Sequence, residues 1–410
     1  MDSSSKSYTF GKSILASGVV IFAIGQSLLF IVVAPMARSI GLTEMQFGMA
    51  FSLANISLIF AGPFWGKKSD VIGRKPVFIV GLMGSALGTL AMAATLSFGL
   101  RNKEEVAAFT IIALIFGSRF VYGLTASAIY PSASGYMADV TDWNNRAKGM
   151  ALIGSANALG SILGPAIGGG LAFMGVLFPM YAAAAISLAG GLAAIVWLIE
   201  PEQHSIRQAT PKSDKPALKF TDKRLRPYMV MWATFFVIFI SLNFVTAFYI
   251  QDRYAVDGMT AVMRTASIML ACMAVVITLV QGVLFQIIKI SPHVLMLIAG
   301  PLFATGIFTM AFAPDLVILG IGFAILGGAF ACATPGINGS ASLKMEPHEQ
   351  GAAAGYLAAA NTSGAILGPI VGTSLYKLQP NAPMLFGGVL TVLLSFYALT
   401  IPAPERKSGK

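Results

Sequence analysis

Long apolar runs separated by short polar segments are the dominant pattern along this chain. A helix needs about 20 predominantly apolar residues to cross the hydrocarbon core of a bilayer, and the runs have that length. A helix also satisfies its own backbone hydrogen bonds, as lipid requires. The pattern predicts twelve transmembrane helices, at residues 13–35, 47–66, 76–97, 107–137, 149–172, 177–198, 227–249, 265–286, 294–313, 316–341, 351–375 and 382–401.

The composition agrees with a chain that is mostly surrounded by lipid. Hydrophobic residues make up 56% of it, and Asp, Glu, Lys and Arg together only 11%. A soluble domain usually contains about 25% charged residues. If this chain were soluble, its excess apolar residues would form exposed patches far larger than a monomer tolerates. The sequence therefore predicts an all-α membrane protein and excludes a water-soluble fold.

The net charge of +10 could suggest nucleic-acid binding, but the positions of the basic residues argue against it. With twelve spans, most of the 27 Lys and Arg residues fall in the termini and in loops on one side of the membrane. Basic loops stay in the cytoplasm. We therefore expect a multi-pass protein of the inner, cytoplasmic membrane with both termini in the cytoplasm.

The chain contains an internal repeat. The sequence ANALGSILGPAIG at Ala156–Gly168 recurs as ANTSGAILGPIVG at Ala360–Gly372. Duplicated six-helix halves are one way in which transporters build a substrate site near the bilayer midplane. The predicted organisation is a six-helix bundle over residues 1–199, a polar cytoplasmic linker over 200–226, and a second six-helix bundle over 227–410.

The loop after the second span combines glycines with charged residues. It contains Gly66, Asp70, Gly73, Arg74 and Lys75 in the order Gly, three residues, Asp, two residues, Gly-Arg-Lys. Glycines permit a tight turn, and a carboxylate can accept hydrogen bonds from the N-terminus of a neighbouring helix. The loop lacks the spacing of a phosphate-binding loop, so it does not predict an ATPase.

This loop resembles the signature loop between helices two and three of the major facilitator superfamily. The resemblance implies a twelve-helix fold of two bundles that works by alternating access. It also implies that Asp70 locks onto the start of helix eleven in the outward-facing state and that Arg74 pairs with Asp139. The simpler interpretation is a solvated basic loop that only orients the protein in the membrane.

The fifth span carries a second glycine motif, formed by Gly160, Gly164, Pro165, Gly168 and Gly169. Small residues four positions apart let helices approach closely, and a proline bends a span. The motif is similar to the antiporter motif of drug and proton exchangers such as tetracycline exporters, and this similarity implies export. The alternative is helix packing with no bearing on the direction of transport.

Arg119 is the only formal charge within the predicted spans. A central arginine costs about 2.5 kcal/mol or more to insert, so we expect Arg119 to face a wet cavity or buried partners. Arg119 also matches the helix-four motif of the superfamily, which is linked there to proton handling. Gln26, Tyr122, Asn243 and Asn338 are further candidates to contact protons or substrate, and Arg119 could alternatively only hydrogen-bond Gln26.

The sequence departs from tetracycline-type exporters because no predicted span contains Asp or Glu. This absence favours neutral, zwitterionic or anionic cargo, and it leaves Asp139 and Asp70 as the candidate proton carriers.

The expected function is export of a small, drug-like organic compound by a monomeric transporter, in exchange for protons. One alternative is an exporter or facilitator of an anionic or zwitterionic metabolite, such as a siderophore or an organic acid. A non-transporting membrane scaffold or receptor is the other. No nucleophile, metal cluster or cofactor loop is apparent, so we expect neither an enzyme nor a bound cofactor.

Overall fold

The computed structural model of the protein describes residues 3–102, 108–141, 146–201, 218–346 and 349–403. The chain divides into two compact units. Unit 1 comprises Met1–Ala209 and Asp257–Ser267, and unit 2 comprises Thr210–Val256 and Ile268–Lys410. Most of the linker predicted from the sequence lies at 202–217, outside the described residues.

Both units are built from helices, with no strand among their described residues. Up to Trp197, the described part of unit 1 contains seven α-helices: α1 Ser3–Ser39, α2 Glu44–Ile72, α3 Arg74–Arg101, α4 Ala108–Ala126, α5 Ile129–Asp139, α6 Arg146–Leu171 and α7 Phe178–Trp197. The helix α6 continues into a short 3-10 turn at Ala172–Met174. The remaining helices are α8 Arg226–Arg253, α9 Met259–Leu279, α10 Phe285–Ile287, α11 Pro292–Ala311, α12 Leu316–Lys344, α13 Gln350–Leu378 and α14 Ala382–Leu399, and a π-helical segment at Val280–Leu284 joins α9 to α10.

Eleven helical stretches of the described chain are long and apolar enough to cross a membrane, judged by length and composition. The helix α13 has 29 residues but is not among them, because its asparagine, serine, threonine and glycine residues lower its mean hydropathy. It corresponds to the predicted span 351–375. The prediction of an all-helical, multi-pass membrane fold is confirmed, with eleven strongly apolar spans and one long, less apolar helix.

The fourth predicted span, 107–137, is not one continuous helix. It is divided into α4 and α5 by a turn at Ser127 and Ala128. Pro131 lies at the start of α5. A proline has no N–H to donate to the carbonyl four residues earlier, and its ring clashes with the same carbonyl. The helix therefore breaks just before this proline.

Several helices extend beyond the predicted spans. For example, α8 continues to Arg253 and includes Asp252, and α9 begins at Met259 and includes Arg264. Arg119 is therefore not the only charge within a long helix, and acidic residues do occur near helix ends. The prediction from hydropathy was wrong here because polar residues at membrane interfaces end an apolar run without ending the helix.

The core of unit 1 is formed mainly where α1 packs against α6 and α7 and where α3 packs against α4 and α7. Its buried side chains include Phe22, Phe78 and Tyr136. In unit 2, α8 packs against α13, and α11 packs against α12 and α14. Large apolar side chains such as Phe60 and Phe109 are exposed, as is expected of surfaces that face lipid.

Candidate functional site

Arg74 connects three helix ends in unit 1. It is the first residue of α3, and its Nε lies 2.8 Å from Asp139 Oδ2 at the end of α5. Its Nη2 lies 2.6 Å from Asp70 Oδ1 in the last turns of α2. Its Nη1 donates to Ser69 Oγ at 2.7 Å, and Ser69 Oγ in turn donates to the Gly66 carbonyl. The structure thus contains the Arg74–Asp139 pair that the sequence resemblance implied.

Two residues that the sequence analysis did not single out complete this network. Gly135 lies beside the guanidinium, because a Cβ placed there would be 2.5 Å from Arg74 Cζ. Glu200, just after α7, accepts hydrogen bonds from the backbone N–H groups of Arg74 at 2.6 Å and Lys75 at 2.8 Å. Glu200 falls in the predicted linker, and its partners are too distant in sequence to be inferred from spacing.

Gly73 is required for this capping arrangement. Its φ is +102°, in a region that favours glycine, and a Cβ placed on it would lie 2.8 Å from the carboxyl carbon of Glu200. The Glu200 carboxylate thus approaches the first turn of α3, where free N–H groups and the helix dipole attract negative charge. Gly73 and Glu200 together fix where α3 begins.

We expect Glu200→Gln to destabilise the start of α3. A glutamine side chain keeps one acceptor oxygen, but its NH2 group faces the second backbone N–H. The loss of the charge and of one capping bond should lower the free energy of unfolding by about 1 kcal/mol. Hydrogen exchange at the amides of Arg74 and Lys75 should become faster. Asp257→Asn is the control, because Asp257 is exposed and has no ion pair within the described structure. Unchanged hydrogen exchange at the amides of Arg74 and Lys75 in Glu200→Gln would contradict the capping role.

Arg119 is the most deeply buried charge among the described residues, with 1% of its surface exposed. Its Nη2 donates to the Gly88 carbonyl of α3 at 3.3 Å. The guanidinium carbon lies 4.7 Å from the ring centroid of Tyr122 and 5.7 Å from that of Phe51. Its Nε has no hydrogen-bond partner within the described structure. No carboxylate of the described residues pairs with Arg119, so aromatic faces and one carbonyl compensate for its burial.

The hydrogen bond between Arg119 and Gln26 that the sequence analysis considered is not present among the described residues. Gln26 is half-buried on α1. In unit 2, Asn243 donates to the Phe239 carbonyl at 2.6 Å, and Asn338 donates to the Thr334 carbonyl at 2.9 Å. The structure therefore brings Arg119 and Tyr122 together, whereas the amides of Asn243 and Asn338 each bond within their own helix.

The glycine motif of α6 is a packing surface for α1. A Cβ placed on Gly160 would lie 2.6 Å from Ala23 Cβ, and one on Gly164 would overlap Ser27 Oγ and lie 2.7 Å from the Ile24 carbonyl oxygen. Ser27 also donates to the Gly160 carbonyl at 3.3 Å. Only glycine permits backbones this close.

The other members of the motif contribute less to this contact. A Cβ on Gly168 would meet Leu28 Cβ at an ordinary 3.4 Å. Pro165 lies inside α6, which remains a single helix. Gly169 faces the segment 257–267, which clusters with unit 1, because a Cβ on it would overlap Ser267.

The repeated motif in unit 2 packs in the same manner. A Cβ on Gly368 of α13 would lie 2.7 Å from Ile240 Cβ on α8, and Ser241 donates to the Gly368 carbonyl at 2.7 Å. A serine from the first helix of each unit thus bonds to the glycine-rich helix. The duplication in sequence corresponds to a duplicated helix–helix contact.

Comparison with known proteins gives relatives and structures that match nearly the whole chain. "Multidrug resistance protein 2" of Bacillus subtilis (strain 168) is 27% identical over 411 residues, which cover 96% of this chain and 95% of the relative. "Tetracycline resistance protein, class G" of Vibrio anguillarum is 25% identical over 398 residues, covering 94% of each chain.

Two solved structures share the fold. The human organic anion transporter MFSD10 has a TM-score of 0.64 at 20% identity, covering 94% of this chain and 98% of that one. A crystal structure of the nucleoside transporter NupG has a TM-score of 0.70 at 17% identity, covering 95% and 99% respectively.

The family comparison covers the segment Gly66–Lys75 around Arg74, the buried Arg119 and both glycine motifs. The sequence matches the family described as "Major Facilitator Superfamily" over residues 15–369 and again over 287–410. These are transporters rather than enzymes. With its membrane-length helices and its duplicated packing motif, the chain belongs to the Major Facilitator Superfamily.

Proposed function

We propose that this protein exports small, drug-like organic compounds across the inner membrane by alternating access. The observation that carries the proposal is the match, over nearly the full length of each chain, to proteins named for multidrug and tetracycline resistance. We propose a monomer with both termini in the cytoplasm. Its halves, residues 1–199 and 227–410, would move as bodies joined by the linker at 200–226.

The Arg74 network is proposed as a gate that opens and closes during this cycle. The side chains of Asp70 and Asp139 are 52% and 40% exposed, so their pairs with Arg74 are partly hydrated. Partly exposed ion pairs contribute about 1 kcal/mol or less, which a transporter can break in every cycle. Glu200, by contrast, caps backbone N–H groups of α3. It would keep the start of α3 fixed while the side chain of Arg74 changes its carboxylate partners.

Proton exchange is proposed as the source of energy. Its support is the similarity of the α6 motif to that of drug and proton antiporters. The candidate carriers are Asp139 and Asp70, the carboxylates of the Arg74 network.

The test is transport by purified protein in proteoliposomes, with a panel of cationic, neutral and anionic compounds and a dye that reports lumenal pH. We expect a neutral or cationic compound to move in exchange for protons, and Asp139→Asn to reduce this exchange several-fold. Asp257→Asn is the matched control. Compound movement without proton flux would refute the coupling, and no movement of any compound would refute export.

A second candidate is transport of an anionic or zwitterionic metabolite. Arg119 favours it, because this deeply buried cation has no carboxylate partner among the described residues. A hydrated channel to Arg119 would make it an anchor for a carboxylate. In the same panel, movement of anionic compounds alone would establish this candidate in place of drug export.

A further inference from the structure

Unit 2 contains a cavity of about 520 Å³ between α8, α12 and α13. This size falls within the range of about 300–1,000 Å³ that is typical of small-molecule sites. Alanines and a leucine form part of the wall, and the larger or polar lining residues are Trp232, Asn338, Ser342, Gln350, Asn361 and Thr362. None of the described residues around the cavity carries a formal charge.

The cavity offers hydrogen-bonding groups that the protein does not use. Among the described residues, neither the Trp232 indole N–H nor the Asn361 side-chain amide has a hydrogen-bond partner. Asn338 donates to the Thr334 carbonyl at 2.9 Å, and Thr362 donates to the Ala358 carbonyl at 2.8 Å. Trp232 and Asn361 therefore provide free donors and an acceptor at the cavity wall, whereas the hydroxyl of Thr362 is already bonded.

An aromatic cluster packs behind Trp232, which is the one aromatic residue of the described lining and is itself 5% exposed. The Trp232 ring stacks on Phe330 with centroids 5.9 Å apart, and Phe330 stacks on Phe239 at 4.3 Å. Phe236 lies against both Trp232 and Phe330. Phe236, Phe239 and Phe330 remain half-exposed, although they pack against each other. These contacts hold the Trp232 ring in place, and the small part of the ring that remains exposed can contact a planar aromatic ligand.

The lining also determines which charge a ligand can carry. A cation inside the cavity would lose water without gaining a carboxylate, and an anion would find no basic group. An uncharged molecule loses less hydration and can still use the amides. The free polar groups, the Trp232 ring and the missing charges of the described lining therefore favour the same ligand.

We infer that this cavity binds the uncharged, planar aromatic part of the exported compound, with a contact to the exposed part of the Trp232 ring and hydrogen bonds to Asn361. The inference rests on the proposed function for the identity of the ligand as cargo. Binding itself can be measured without transport, so the two claims can fail separately.

Trp232 can report binding directly through its fluorescence. The sequence has four tryptophans, and the substitutions Trp65→Phe, Trp143→Phe and Trp197→Phe leave Trp232 as the reporter. Acridone is a suitable probe, because it is planar and uncharged and carries one N–H and one carbonyl. We expect acridone to quench Trp232 saturably in the purified full-length chain. N-methylacridinium, of similar shape but cationic, should bind at least about tenfold more weakly.

The controls separate specific binding from collision and from misfolding. A variant that keeps only Trp197, which is exposed on α7 of unit 1, should show no saturable quenching. Asn361→Leu should weaken acridone binding about fivefold to tenfold. If Asn361→Leu does not fold, Asn361→Ala replaces it.

Equal binding of acridone and N-methylacridinium, or unchanged affinity in the Asn361 variant, would overturn the inference. Export of panel compounds without quenching of Trp232 would also overturn it and leave the proposed function intact. Saturable acridone binding that depends on Asn361, in a protein that exports nothing, would support the site and refute its role in export.

Discussion

Gly164→Ala is expected to reduce export at least about tenfold, because overpacking a tight helix contact costs about 1–3 kcal/mol. The added methyl group would overlap Ser27 Oγ and lie 2.7 Å from the Ile24 carbonyl oxygen. The backbone of α1 cannot give way as a flexible side chain could. The two helices must therefore separate, and the free energy of unfolding should fall together with transport.

Gly154→Ala is the matched control on the same helix. A Cβ at Gly154 would have no neighbouring atom within 4 Å in the described structure, so this substitution should leave export and stability unchanged. Adding Ser27→Gly to Gly164→Ala removes the overlapping hydroxyl but not the Ile24 carbonyl, so it should restore export only in part. Wild-type export by Gly164→Ala would show that the contact between α1 and α6 does not limit transport.

Arg119→Lys is expected to lower export at least about tenfold while the protein still folds, because lysine cannot reproduce a planar, forked guanidinium. In the wild-type protein the guanidinium reaches the Gly88 carbonyl and also lies over the Tyr122 ring. A lysine ammonium is compact and can make one of these contacts at a time. Export by equal amounts of purified variant in proteoliposomes measures the effect.

Arg119→Met distinguishes a functional charge from a structural one. Arg119 pairs with no carboxylate of the described residues, so an apolar residue of similar size removes the cost of burying a charge and leaves no opposite charge unpaired. We therefore expect Arg119→Met to melt at or above the wild-type temperature and yet to be inactive. Arg101→Lys, at the exposed end of α3, should be silent. Normal export by Arg119→Met would remove Arg119 from the transport mechanism.

The general architecture could be predicted from hydropathy because each span must satisfy its own backbone hydrogen bonds in lipid. The repeat at Ala156–Gly168 and Ala360–Gly372 also indicated a duplicated element, which the structure shows as the packing of α1 with α6 and of α8 with α13. Hydropathy did not predict where helices break or end, because single prolines and polar residues determine these positions. It did not reveal the break before Pro131, and it placed the end of α8 too early and the start of α9 too late.

The site could be predicted only in part. The spacing of the motif Gly66–Lys75 singled out Asp70 and Arg74, and the family resemblance added Asp139, whose pair with Arg74 the structure contains. Nothing in the sequence indicated that Glu200 caps α3, because the two are separated by four helices in the chain. The contacts of Arg119 could not be predicted either. A backbone carbonyl and two aromatic rings, two of these three groups lying on other helices, form no motif that can be recognised in the sequence. Contacts between distant segments depend on the packing of whole helices.

Substrate counterflow in proteoliposomes tests the central claim most directly. Vesicles are loaded with an unlabelled panel compound, and uptake of the same labelled compound is followed without any pH gradient. In alternating access, the binding site returns to the outer face of the vesicle faster when it carries substrate than when it is empty. We therefore predict that preloading the vesicles accelerates labelled uptake several-fold. Gly164→Ala should abolish this acceleration. Equal uptake into loaded and empty vesicles would contradict alternating access, and no uptake into either would contradict transport altogether.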